Sequence, residues 1–264
     1  MVADERAVLA ASGLGFAYAE TTILDGVTFD IAAGELCCIV GQSGAGKSTL
    51  LRIAGGLLSP GAGTVHTFGL DPATARRRQL ARRLAYLPQD FSLAFPFTVT
   101  EVVLMGRYAH RGRGFLGLES SADRDAAQAA MARVDVLPLA HRRWTDISGG
   151  ERRRALLAQA FCQHAELLLL DEPTAALDPA HALAVMTALS TGRDGGTAAV
   201  CVTHDLNLAA RFADRVLVLA AGRQVAWGPP AEILAQPEVQ HAFGVPLHMG
   251  TLPGSRLPFV VPAA

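Results

Sequence analysis

Leu36-Cys37-Cys38-Ile39-Val40-Gly41-Gln42-Ser43-Gly44-Ala45-Gly46-Lys47-Ser48-Thr49-Leu50-Leu51-Arg52-Ile53-Ala54 is the stretch on which the reading of this chain turns. Its first five residues are apolar without interruption, as a strand covered on both faces by a parallel sheet requires. From Lys47 onward the residues are helix formers with helical spacing. Between the two lies Gly-x-x-x-x-Gly-Lys-Ser, the P-loop, whose backbone N–H groups wrap the phosphates of a nucleotide. The helix start adds unpaired N–H groups and the positive end of its dipole. Of the 23 lysines and arginines in the chain, Lys47 is the only lysine. A slim ammonium reaches between phosphate oxygens where a planar guanidinium fits poorly.

Composition bounds what surrounds this loop. The chain has 264 residues, 50% of them hydrophobic, enough for a sizeable core in one large or two small domains. A formal net charge of −1 gives no general attraction to nucleic acid. No apolar run approaches the ~20 residues of a membrane span. Met1 to Arg6 carries acidic residues and lacks a long apolar segment, so no signal peptide is expected. Cys37, Cys38, Cys162 and Cys201 have no metal or redox spacing and read as buried, reduced thiols.

Ahead of the P-loop, Ile23 to Ile31 alternates apolar and polar residues, as a half-buried antiparallel strand does. Leu84 to Pro88 is a short apolar segment ending at Gln89. From Phe91 to Cys162 the character turns helical. Thr98 is a candidate cap with Glu101 three residues on. Asp123 to Leu137 places Ala127, Ala130, Met131, Val134 and Leu137 on one helical face, and 111–121 reads as a loop. After Glu166 strands and helices alternate: a strand at 167–170, a helix from about 180, a strand at 198–203, a helix from 205, strands at 216–219 and 223–227 with a turn at Ala221-Gly222 between them. The pattern is an α/β domain interrupted by a helical insert.

Leu167-Leu168-Leu169-Leu170-Asp171-Glu172 is a second constellation. Ligands of open parallel sheets sit at the carboxyl ends of strands. Asp171 is therefore placed to hold Mg²⁺ opposite the Ser48 hydroxyl, and Glu172 to polarise an attacking water as general base. Val200-Cys201-Val202-Thr203-His204 delivers His204 to the same edge, within reach of a γ-phosphate. Ile147-Ser148-Gly149-Gly150-Glu151 opens an arginine-rich helix and makes a second anion site. Two phosphate-binding helix starts serve one nucleotide only by folding together, or by two chains meeting head to tail. Arg76–Arg78, Arg82-Arg83 and Arg152–Arg154 read as solvated helix faces, with contact to lipid headgroups or a membrane partner as the lesser reading.

In order along the chain, the P-loop, Gln89, Ile147–Glu151, Leu167–Glu172, Ala176-Leu177-Asp178 and His204 resemble the Walker A, Q-loop, signature, Walker B, D-loop and switch histidine of ABC-transporter ATPase subunits. Coverage runs from about Tyr18 to Leu234, and six ordered motifs are highly specific. Tyr18 is similar to the A-loop aromatic that stacks on adenine; a core aromatic is its other reading. The resemblance implies a RecA-like P-loop NTPase core with an antiparallel β subdomain at 1–89 and 165–264. The helical subdomain with the signature then occupies 90–164. It implies ATP and Mg²⁺, the metal held by Ser48, Asp171 and Gln89, with Glu172, His204 and Gln89 catalytic. It further implies a homodimer sandwiching two nucleotides, each completed by Ser148, Gly149, Gly150, Glu151 and Asp178 of the opposite subunit.

Within that family, Phe95-Pro96-Phe97-Thr98-Val99, Gly106 to His110, His204 to Ala209 and Gly228 to Glu232 resemble the subgroup importing iron-siderophores, haem and cobalamin. The implied setting is the cytoplasmic face of the inner membrane. The helical subdomain would grip a polytopic permease that is served by a substrate-binding protein, with no nucleic acid involved. Departures are modest: Ile147 and Glu151 stand where Leu and Gln are commoner, and Gln159 where arginine is frequent. A soluble ABC-type ATPase of DNA repair or translation is a different class, less favoured because such chains usually carry two cassettes or a coiled-coil insert. A binding module without catalysis is disfavoured because every expected catalytic residue is present.

Overall fold

The structure, a computed structural model, describes residues 7–91, 96–110, 119–251 and 258–262, with the main chain alone at 193 and 194. Phe95 and most of the loop expected at 111–121 lie outside the described residues. The strands are β1 (Ala7–Tyr18), β2 (Thr21–Ala32), β3 (Leu36–Val40), β4 (Ala62–Thr67), β5 (Leu84–Leu87), β6 (Leu167–Asp171), β7 (Ala198–Val202), β8 (Arg215–Ala220), β9 (Arg223–Gly228), β10 (Leu247–Thr251) and β11 (Pro258–Pro262). The helices are α1 (Lys47–Ala54), α2 (Arg77–Ala81), α3 (Val99–Leu104), α4 (Ser121–Arg133), α5 (Gly149–Cys162), α6 (Pro179–Thr191), α7 (Leu206–Phe212), α8 (Pro230–Ile233) and α9 (Pro237–Phe243).

One sheet runs in the order β4-β1-β2-β9-β8-β3-β7-β6-β5, and β10 and β11 form a separate hairpin. Strands β8, β3, β7, β6 and β5 run parallel to one another. The β4-β1-β2 edge and the β8-β9 pair are antiparallel. A single parallel bridge, Asp25 to Arg223, joins the two regions through β2 and β9. The parallel strands are covered on both faces, which is why they read as unbroken apolar runs. Cys37, Ile39, Leu167, Leu169, Val200 and Val202 face the core shared with α1, β1 and β2. Cys38, Val40, Leu168, Leu170 and Cys201 face the core shared with α3 to α7. All four cysteines are free and buried, as read.

Helix starts follow local chemistry. Thr98 caps α3 in a reciprocal box with Glu101, as the sequence predicts. The helix expected at 123–137 instead begins at Ser121, because Ser120 and Asp123 form a second box. It stops at Arg133, since Asp135 takes a left-handed φ of 55° that no continuing helix allows. Leu137 therefore leaves the helical face and is exposed.

Asp123 also ties three helices together. Arg107, just beyond α3, donates from Nε to Asp123 at 2.8 Å and from Nη1 to the Cys162 carbonyl of α5 at 3.1 Å. The Arg107 guanidinium, with help from Ser120, pulls the mostly buried Asp123 carboxyl down to about 2. An unfolded aspartate titrates near ~3.9, so this contribution is complete above about pH 4 and is lost as pH falls through 4 towards 2. Asp123→Ala is expected to lower unfolding free energy by about 3 kcal/mol at neutral pH. Denaturant melts from pH 8 to pH 2 check it: the gap to the parent stays level down to about pH 5, then narrows.

Candidate functional site

The carboxyl ends of β3, β6 and β7 converge on one edge, and the chemistry-bearing residues follow them directly. After β3 the loop turns through Gly41, Gly44 and Gly46, all at positive φ. A β-carbon on Gly41 would land on the Leu219 carbonyl of β8, and one on Gly46 would strike the Leu24 side chain and Ile23 carbonyl of β2. Glycine is therefore required by close backbone approach as well as by dihedral angle. Ala45 and Thr49 are buried, Gln42, Ser43 and Gly44 are exposed, and Ser48 is half-buried.

Lys47 opens α1 with its side chain 6% exposed. Its Nζ donates to the Gly41 carbonyl at 2.9 Å and to the Gln42 carbonyl at 2.8 Å, leaving one of three donors unassigned by these bonds. Burial lowers its pKa, opposed by the Glu172 and Asp171 charges. Ser48 donates from Oγ to Asp171 Oδ1 at 3.1 Å, joining the loop to the end of β6. Asp171 is 1% exposed and its second oxygen, Oδ2, has no partner among the described residues. Burial raises its carboxyl pKa.

That orphaned oxygen beside a serine hydroxyl is what a hard divalent cation would satisfy. Among the described residues no cluster of three His, Cys, Asp or Glu side chains could cage a metal. The donor set of one carboxylate and one hydroxyl fits Mg²⁺, which keeps waters and takes its remaining ligands from substrate phosphates. The side chains present therefore fit the cation.

Glu172 adopts φ 53°, an uncommon conformation for a residue with a β-carbon. Its N–H donates to the Val202 carbonyl of β7 at 3.1 Å, and its Oε1 lies 2.8 Å from His204 Nε2. The two catalytic candidates thus hold one another directly, a contact that motif order alone did not reveal. A cleft of about 590 Å³ opens at Glu172, Thr203 and His204, walled by Leu177, Leu208 and Phe259.

Gln89 is exposed at the bend after β5. Tyr18 ends β1, half exposed, with its ring edge-on to Phe16 at 4.8 Å. Ser148 caps α5: its N–H donates to Glu151 Oε2 at 2.7 Å and its Oγ accepts from the Glu151 N–H at 3.3 Å. The bonds from Ser148 lower the Glu151 pKa. No hydrogen bond among the described residues joins 148–151 to 41–49, so the fold leaves the second anion site apart from the first. Asp178 caps α6 and accepts from the His181 N–H at 2.9 Å.

The arginines at 152–154 are not solvated faces. Arg152 donates to the Trp144 and Thr145 carbonyls, and Arg154 to that of Asp135. Arg153 is 7% exposed and donates to the Pro88, Gln89, Asp171 and Glu172 carbonyls. The missed signal was periodicity: Leu156 and Leu157, three and four residues on, are core residues, and Arg153 shares their face. The 76–83 clusters are mostly exposed, with Arg82 donating to the Ala109 carbonyl and Arg83 forking onto Glu166.

Comparison with known proteins agrees with this geometry. Residues 24–175 match the family described as ABC transporter. The hemin import ATP-binding protein HmuV of Streptomyces coelicolor is 42% identical over 98% of this chain and 91% of its own. The cobalamin import ATP-binding protein BtuD of Halobacterium salinarum is 43% identical over 95% of this chain and 62% of its own. Among solved structures, an inward-facing metal-chelate type ABC transporter superposes with a TM-score of 0.83 at 28% identity, covering 98% of both chains.

The raised Asp171 pKa carries a sign. A carboxylate held above its unfolded value costs stability above that value, and the cost fades as pH falls and it protonates. Asp171→Asn is therefore expected to melt higher than the parent at pH 7 without nucleotide, the difference shrinking towards pH 4. Differential scanning calorimetry of both proteins reads this; a variant that melts lower at pH 7 contradicts it.

Proposed function

The chain belongs to the ABC-transporter ATP-binding family, and on that footing we propose that it is the ATP-hydrolysing subunit of an importer for haem, an iron-siderophore or a related metal chelate. The observation that carries the reading is the convergence of Lys47, Ser48, Asp171, Glu172 and His204 on one sheet edge, with Ser48 bonded to Asp171 and His204 to Glu172.

In this reading the N–H groups of Ser43 to Ser48 cradle the phosphates, and Lys47 exchanges its loop carbonyls for β- and γ-phosphate oxygens. Thr49 packs under the loop, and the exposed face of Tyr18 receives adenine. Ser48, Asp171 and Gln89 would hold Mg²⁺. When bound, that cation neutralises charge on the β- and γ-oxygens. Glu172 accepts a proton from water as its oxygen bonds to the γ-phosphorus and the bond to the leaving ADP oxygen breaks. His204 holds the Glu172 carboxylate in place and reaches the γ-phosphate. The partner subunit's Ser148, Gly149, Gly150 and Glu151 close the nucleotide from the other side, and the partner's Asp178 acts across the dimer. In the cap geometry Ser148 Oγ accepts from the Glu151 N–H, so its own O–H is left to donate to the partner's nucleotide on closure.

Import subunits of this family dimerise and work with membrane permeases. Among the described residues no helix is long and apolar enough to cross a membrane. We place this subunit on the cytoplasmic face, gripping its permease at a groove of about 510 Å³ lined by Phe97, Leu104, Met105 and Tyr108, the last 79% exposed. The substrate assignment rests on likeness to HmuV; the comparable likeness to BtuD supports cobalamin as the second reading.

Glu172→Gln is expected to cut turnover on the order of 10²- to 10⁴-fold while leaving ATP affinity within about twofold. Steady-state hydrolysis and equilibrium binding of the same preparation check it; near-parental turnover contradicts the assigned base. Transport by the reconstituted complex, with haem, a siderophore or cobalamin each offered to the binding protein, separates the substrate readings.

A further inference from the structure

Among the described residues, Arg153 is the one buried arginine, and its donors all point at the strand ends of the site. It stands on α5, five residues after Ser148. Its Nη1 donates to the Pro88 carbonyl at 2.7 Å and the Gln89 carbonyl at 3.1 Å. Its Nε donates to the Glu172 carbonyl at 3.1 Å, and its Nη2 to the carbonyls of Glu172, at 2.8 Å, and Asp171. Pro88-Gln89 follows β5, and Asp171-Glu172 ends β6, its neighbour in the sheet. One planar fork therefore clamps two adjacent strand ends to one helix, a geometry that a lysine ammonium cannot reproduce.

The clamp falls on a stretch of backbone that needs holding. The left-handed Glu172 backbone is strained and persists only if its surroundings over-determine it. Its N–H is fixed by Val202 and its carbonyl by Arg153, and its side chain then meets His204. Burial lowers the Arg153 pKa, opposed by the Asp171 and Glu172 charges.

We propose that Arg153 is a positioning residue that couples the two nucleotides of the dimer. It transmits engagement of α5 by the nucleotide on the partner's P-loop to the Glu172 and Gln89 of its own site. This rests on the head-to-tail dimer described above. Ser148 and Arg153 are on one rigid helix, roughly 7 Å apart along its axis. A shift of the helix start on closure therefore moves the fork and the four carbonyls it holds. Catalysis in one site then depends on occupancy of the other, beyond the contacts each nucleotide makes itself.

The test uses the full chain carrying Arg153→Gln and, as the variant with retained charge and bulk, Arg153→Lys. Kd for MgATP, kcat and the Hill coefficient for ATP are measured on each. Both variants are expected to bind MgATP within about twofold of the parent, to lose kcat by on the order of 10- to 100-fold, and to drop from a Hill coefficient above one to one. Should Arg153→Gln fail to fold, Arg153→Lys carries the same expectations. A variant with parental kcat overturns the proposal, as does one that loses kcat yet keeps the parental Hill coefficient. A strut with only a structural role would weaken Kd together with kcat. A parent chain with a Hill coefficient of one removes the dimer reading and this proposal with it. A cooperative parent beside an equally cooperative Arg153→Lys removes this proposal alone.

Discussion

Two opposite charges are buried at one sheet edge, and the protein satisfies neither in full. Lys47 spends two donors on carbonyls of its own loop, and Asp171 keeps an oxygen with no partner among the described residues. Leaving buried polar groups short of partners is costly, and a bound ligand that supplies the remainder is one way to offset it. A triphosphate with its cation would do so for both groups at once. The surrounding parallel strands exist in a form that makes this possible: apolar on both faces, ending together, with the polar residue immediately past each end.

Much of this was legible because the same physics writes both fold and site. A strand buried on both faces is uniformly apolar, so Leu36 to Val40 and Leu167 to Leu170 announced themselves, and their last residues could be placed on one edge. Elements with weak burial were not legible. Ala62 to Thr67 buries only Val65 and Thr67, and its sequence shows little strand periodicity. The β10-β11 pair buries one residue per strand and is tied to α7 by Asn207, far off in sequence, whose amide donates to the Val260 carbonyl and accepts from its N–H. Such a pairing leaves no local pattern.

The arginines show the same limit from the other side. A run of three on a helix has no single face, so some member had to point inward, yet composition suggested solvent for all of them. Arg153 goes to the centre and binds carbonyls rather than carboxylates, which a charge-based reading does not anticipate. Its partners lie, in sequence, on either side of the helical stretch from α3 to α5. The catalytic edge and the signature helix are thereby mechanically continuous, although the signature makes no hydrogen bond to the P-loop of its own chain among the described residues.

On the proposed reading, that arrangement leaves each chain with half of a hydrolytic site. The most direct measurement is sedimentation of the Glu172→Gln chain with saturating MgATP, alone and with Ser148→Arg added. The account predicts a species of twice the chain mass carrying one nucleotide per chain. Adding Ser148→Arg should return it to single mass with nucleotide still bound at the P-loop. A Glu172→Gln chain that stays at single mass when fully loaded, or a doubled species indifferent to Ser148→Arg, would contradict it.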